Sequence, residues 1–254
     1  MPKKTVSIVQ DIAQELQARI RRQEWARRGK LPGQRQLADE LGVSRASLRE
    51  AITMLEGLGL LRSEPGRGVF IARPGEQGRG SAYGRWQFQE RYALRDVYLV
   101  RAQLEDLAVM LAASVVTPSG LERLRATVQQ MEAAQQVGDL VTMAEGDHAF
   151  HACIFEFAGS PLLLDILAGF HEVVEGSRQV AFANPDRVGE PIAEHYRVIE
   201  ALATGSPELA RVAMRAHLNN VADRAGIRLD IAPAAVQAVP VPRRTQKKPA
   251  PQRG

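Results

Sequence analysis

The sequence predicts a mainly α protein in two parts, an N-terminal winged helix-turn-helix with a small β-hairpin wing and a C-terminal all-helical bundle. Two short apolar-periodic segments meet at Gly42-Val43-Ser44, two short apolar runs then flank a turn-rich stretch, and from Glu90 onward long helical periods break only at Gly, Ser and Pro. Charge divides the same way. The first 75 residues hold 14 Lys and Arg against 8 Asp and Glu, residues 76–230 hold 14 against 21, and the last 24 hold five basic groups and no acid. The net charge of +4 therefore conceals a basic head, an acidic body and a basic tail. Clustered cations release counterions from nucleic acid, so the head is expected to meet a polyanion, with a solvated basic face as the plainer alternative.

Val6, Ile8, Val9, Ile12, Leu16 and Ile20 recur near helical spacing and predict a helix from residue 6 to about 28. Leu31-Pro32-Gly33 breaks the chain ahead of a short helix carrying Leu37, Ala38 and Leu41, which Gly42 ends. Ser44 is the natural N-cap of a third helix, Arg45 to about Gly57, with Leu48, Ile52 and Leu55 as its buried face. Leu60-Leu61-Arg62 and Val69-Phe70-Ile71, parted by Ser63-Glu64-Pro65-Gly66-Arg67-Gly68, form the wing. The expected domains are 1–73 for the head, 74–89 for a Gly- and Arg-rich linker, 90–229 for the bundle and 230–254 for a disordered basic tail. Bundle helices are expected at 91–116, 119–137, 140–158, 161–182, 187–204 and 207–227.

Cys153 is the sole cysteine, read as a buried thiol, so no intrachain disulfide forms and nothing points to an oxidising compartment. The N-terminus lacks the apolar core of a signal peptide, and the run Leu107–Val116 is too short to cross a bilayer. A cytoplasmic protein with no membrane partner, nucleoid-associated when on DNA, is expected.

The stretch LPGQRQLADELGVSRASLREAITMLEGLGLLRSEPGRGVFIAR resembles the DNA-binding domain of the GntR family of bacterial regulators, over about residues 8–73. Where that family has a Gly and Pro-Gly element before its Leu-Pro, this chain has Gln23-Glu24-Trp25-Ala26-Arg27-Arg28-Gly29. A recognition helix puts its N-terminal side chains into the major groove, where an arginine can fork onto guanine O6 and N7. Ser44, Arg45, Ser47 and Arg49 occupy that end, with Arg45 and Arg49 one turn apart. The resemblance implies Arg35, Arg45 and Arg49 as base and phosphate contacts and Gly68 as the point of close wing approach, with the charge of Arg67 beside it.

The helical half resembles the ligand-binding domain of the FadR-like branch of that family, the FCD bundle, over about residues 90–227. Asp147 and His151, at i and i+4, share one helix face, while His195 and His217 lie on later helices. In metal-binding members of the branch the corresponding positions hold a divalent ion. Three imidazoles and a carboxylate suit zinc, with nickel and manganese also compatible by ligand type. His148 points about 100° away from Asp147, and His171 reads as packing or surface.

The resemblance implies effector contacts at Arg101, whose planar fork suits a carboxylate, and at Ser160, which stands where relatives carry Asn. An i to i+4 pair with Glu105 is the alternative role for Arg101. The function expected is a homodimeric regulator, a repressor on an inverted-repeat operator, released by a small organic acid bound beside the metal. Two alternatives stay open, a regulator whose metal is purely structural with a non-acid effector or none, and a metal-dependent hydrolase. No HExxH helix supplies the base that a zinc hydrolase needs, and a hydrolase would leave the DNA-reading head unexplained.

Overall fold

The computed structural model describes residues 3–72, 86–184 and 186–229, so the expected linker lies largely, and the basic tail wholly, outside the described residues. Three helices, a hairpin and seven further helices follow in order. Helices α1 (Lys3–Arg21), α2 (Gln34–Leu41) and α3 (Arg45–Gly57) and strands β1 (Leu61–Glu64) and β2 (Gly68–Ile71) build the head. Helices α4 (Leu94–Ala113), α5 (Pro118–Gln136), α6 (Leu140–Phe157), α7 (Pro161–Gly169), α8 (His171–Phe182), α9 (Glu190–Ala203) and α10 (Pro207–Arg224) build the bundle.

In the head, Ile12, Ala13 and Leu16 of α1 are buried in one core with Leu37 and Ala38 of α2 and Leu48, Ile52 and Leu55 of α3. Gly42 ends α2 with φ 65°, a conformation glycine adopts without strain, and the Ser44 hydroxyl accepts from the Ser47 N–H at 3.0 Å to start α3. The strands pair antiparallel, with Arg62 opposite Phe70 and Glu64 opposite Gly68.

Helix α1 stops at Arg21, seven residues earlier than its periodicity predicts. Tertiary pairing overrides local preference here. The Leu31 N–H donates to the Val69 carbonyl at 2.9 Å and the Ile71 N–H to the Gly29 carbonyl at 3.0 Å, so residues 29–31 flank the wing hairpin. To reach it the chain turns through residues 22–29, with Gln23 at φ 60°.

The bundle departs from expectation at two places. The helix expected over 161–182 divides at Gly169-Phe170 into α7 and α8, which bury different faces: α7 buries only Leu163, whereas α8 buries Val174 and all of 176–182. Helix α10 ends at Arg224, yet Ile227 and Leu229 are still buried, packing with Trp86, Leu94 and Tyr98 in a second core.

Head and bundle are joined by polar contacts. The Gln17 side chain, 1% exposed, accepts from the Leu140 N–H at 2.9 Å and donates to Asp139 Oδ1 at 2.6 Å, while Arg21 donates to the Val137 carbonyl at 2.7 Å. No helix among the described residues is long and apolar enough to cross a membrane.

Candidate DNA interface and metal centre

At the start of α3, Ser44 and Ser47 are tied to each other, Oγ to Oγ at 2.9 Å, and so shape the helix end. Arg35, Arg45 and Arg49 are exposed, and their guanidinium groups make no hydrogen bond or ion pair among the described residues. An arginine held by no neighbour can meet DNA without first breaking a bond. Arg67 differs, because it pairs with Glu64, which also takes Arg62. Lys30, Arg62 and Arg67 all lie over the Phe70 ring, at 5.5, 4.9 and 5.7 Å from its centroid. Gly68 has φ 111°, and a Cβ there would sit 2.7 Å from Lys30 Cε, so its bare backbone makes room for the lysine. Lys30 and Arg62 were not among the expected site residues; the cross-strand partnership of Arg62 with Phe70 is the signal that could have found Arg62.

In the bundle, Asp147 and His151 of α6, His195 of α9 and His217 of α10 converge, one donor atom from each lying within 4.8 Å of all the others, and all four are buried. Asp147 Oδ1 stands 3.4 Å from His195 Nε2 and 3.9 Å from His151 Nε2. A second layer orients the rings. Glu105 lies against Nδ1 of His151, and Glu194 Oε2 is 2.8 Å from Nδ1 of His217. Glu194 is itself held by both terminal nitrogens of Arg224, at 2.8 and 2.9 Å, and by Asn220 at 2.9 Å. Phe150 stacks on the His195 ring at 3.9 Å.

Glu194 favours a proton on Nδ1 of His217, and Nε2 of His151 and Nε2 of His217 face each other at 3.3 Å. Both nitrogens of the fully buried His195 lack a hydrogen-bond partner. Such groups are costly in a dry interior unless a cation sits between them. A proton is poorly suited to that role: burial pushes His151 down to about 4, only partly opposed by Glu105, and burial with the neighbouring imidazoles holds His195 well below its usual range. The donor set and its orphaned nitrogens thus fit a divalent metal, with Asp147, His151, His195 and His217 as the holders.

A pH dependence follows. His151 takes a proton near 6.5 in the unfolded chain and near 4 in the fold, so it costs stability as pH falls from about 6.5 to 4. Metal-free protein is expected to lose about 2 kcal/mol between pH 7 and pH 5 from this group alone. Urea midpoints at the two pH values check it, and an unchanged midpoint would mean that the folded ring takes up its proton over the same pH range as the unfolded chain.

Arg101 is buried and makes the i to i+4 pair with Glu105, Nε donating to Oε1 at 3.1 Å, while a terminal nitrogen donates to the Ser177 hydroxyl at 3.0 Å. Ser160 caps α7, accepting from the Leu163 N–H at 3.4 Å, and makes no described hydrogen bond to the ring. His148 stays outside the four-residue group, 2.9 Å from Glu175, and His171 is exposed with its ring edge against His148. Cys153 is only half-buried, packed partly against the core with its Sγ 3.7 Å from Arg123. Glu105, Glu194 and Arg178 were absent from the expected site. Their signal is a charged residue set on the inward face of an otherwise apolar helix. A cavity of about 340 Å³ opens between α9 and α10 and reaches His217 and Glu194.

Residues 8–71 match the family described as bacterial regulatory proteins, gntR family, and residues 96–220 match the FCD domain. The chain is 32% identical over 200 residues to the putative L-lactate dehydrogenase operon regulatory protein of Escherichia coli (strain K12), covering 76% of each chain. It is 29% identical over 199 residues to the Glc operon transcriptional activator of the same organism, covering 75% of this chain and 78% of that one. Among solved structures, E. coli McbR/YncC shares the fold with a TM-score of 0.50 at 21% identity, covering 88% of this chain and 98% of that one.

Proposed function

Because this chain belongs to the GntR family of bacterial regulators and carries an FCD domain, and so is a DNA-binding transcription regulator rather than an enzyme, we propose that it is a cytoplasmic homodimeric repressor. Its grip on an inverted-repeat operator is released by a small carboxylate bound beside a divalent ion. The observation that carries this reading is the convergence of four buried donor atoms within 4.8 Å of one another, with both nitrogens of His195 unpartnered and the buried guanidinium groups of Arg101 and Arg178 close by. A bound ion would hold the four side chains together and polarise a carboxylate oxygen brought to it. Zinc suits the donors best, and nickel and manganese are the other candidates.

On the DNA side, Arg45 and Arg49 are the base-reading pair, Arg35, Arg67 and Gly68 the flanking contacts, and Ser44 and Ser47 the cap that aims the helix. A second copy is the partner that an inverted repeat requires. Val100, Leu107 and Leu111 of α4, with Val115 just past its end, are exposed apolar side chains and support pairing through that face.

The test is thermal melting of metal-loaded and metal-stripped protein against acetate, glycolate, L-lactate and succinate. The last three probe hydroxyl and second-carboxylate preferences, and L-lactate also appears in the name of the E. coli relative. A ligand at 100 times its dissociation constant adds about 2.7 kcal/mol, or several degrees. The expected shift appears only with metal present. No shift with any acid would overturn the acid reading and leave a structural metal.

A further inference from the structure

Helix α8 is engaged differently at four consecutive residues. At Gly176 a Cβ would sit 3.0 Å from Gln87 and 3.3 Å from Phe88, so the segment leading out of the head lies on its bare backbone. The Ser177 hydroxyl accepts from Arg101 at 3.0 Å, and its carbonyl accepts from the Tyr98 hydroxyl at 2.7 Å. Arg178 reaches the metal ring. At Gln179 the side chain meets α3, where a Cβ on Gly57 would sit 2.8 Å from Gln179 Oε1. Consecutive helical residues point about 100° apart, so these four cover every side of the helix.

Arg178 is 5% exposed, and its Nε and one terminal nitrogen have no hydrogen-bond partner. Its neighbours are Asp147 Oδ2 at 3.9 Å, Glu105 Oε1 at 3.6 Å and Glu175 Oε2 at 3.8 Å, all beyond hydrogen-bond reach. Its other terminal nitrogen meets His148 Nδ1 at 3.3 Å. Asp147 and Glu105 are engaged with the ring histidines. A buried guanidinium with two free N–H groups beside a metal ligand is a fork awaiting an anion.

We infer that Arg178 takes the carboxylate of the bound acid and that α8 carries its movement to the head through the contact of Gln179 with Gly57. This rests on the acid-effector reading above. The ligand draws Arg178 away from its three loose carboxylate neighbours, and a helix packed on all sides answers by shifting as a unit. Gly57 closes the recognition helix, so the shift changes how Arg45 and Arg49 meet the groove.

The test uses full-length zinc-loaded protein with acetate, glycolate, L-lactate and succinate as probes, reading acid affinity by calorimetry and operator affinity by fluorescence anisotropy. Arg178→Lys keeps a positive charge among the carboxylates and loses the fork; Arg178→Gln loses both. Acid binding is expected to weaken at least about 10-fold in the first and 30-fold in the second, with zinc content and melting temperature of Arg178→Lys near wild type. Gln179→Ala is expected to bind acid within threefold of wild type while the acid no longer changes operator affinity. Arg178→Lys binding acid within threefold would overturn the inference for Arg178, and normal acid release of Gln179→Ala would overturn the α8 route. If no acid binds zinc-loaded wild type, the acid-effector reading itself fails and this inference falls with it.

Discussion

Arg45→Ala is expected to abolish operator preference and leave the melting temperature nearly unchanged. The Arg45 side chain is exposed and makes no ion pair or hydrogen bond among the described residues, so the fold loses nothing when it is shortened. A bidentate arginine–guanine contact is worth ~1–3 kcal/mol of discrimination, and a dimer makes it twice, so operator affinity should drop at least about 30-fold. Residual binding should match that to random duplex and keep a steep salt dependence from the remaining phosphate contacts. The check is footprinting on a duplex selected from a random pool with wild-type protein. Protection by the mutant at the wild-type concentration would remove Arg45 from the reading head.

Chelation is expected to have a free-energy effect of similar size, on stability rather than on DNA binding. An ion that binds the folded ring at 1,000 times its dissociation constant contributes about 4 kcal/mol, and each kcal/mol moves the melting temperature of a chain this size by ~2–4 °C. Stripping the metal should lower the bundle transition by about 10 °C, and zinc should restore it. Losing the ion also leaves both nitrogens of the buried His195 without a partner in the core. Calorimetry with and without chelator, paired with metal analysis of the purified protein, decides it. A transition indifferent to chelator in protein that carries no metal would make the ring a polar core without an ion.

The head was legible because its information is local. Gly42 and Ser44 mark a helix end and a helix start in adjacent residues, and the apolar positions of α2 and α3 fall on one face. The end of α1 was not legible, since it is set by pairing of residues 29–31 with a strand about 40 residues away. In the bundle, the i to i+4 spacing of Asp147 and His151 was readable from the chain. His195 and His217, which share no helix with them or with each other, came from resemblance to a family. Glu105 was read only as a partner for Arg101, and Glu194 and Arg178 escaped notice, because a charged residue within a helix reads as surface until its neighbours are known. The break at Phe170 escaped for a related reason, as only the packing of α7 and α8 separates the two halves.

Gln17 belongs to the head by sequence and to the bundle by function. Together with Asp139 it finishes the first turn of α6, the helix that seven residues later presents Asp147. The two halves are therefore not interchangeable parts. A chimera that sets a foreign head on this sensor would inherit a frayed α6 unless an amide stands at the position of Gln17, and its response to ligand would degrade even with every pocket residue intact. Swaps that preserve this one side chain should transplant specificity far more cleanly than swaps cut at the apparent linker.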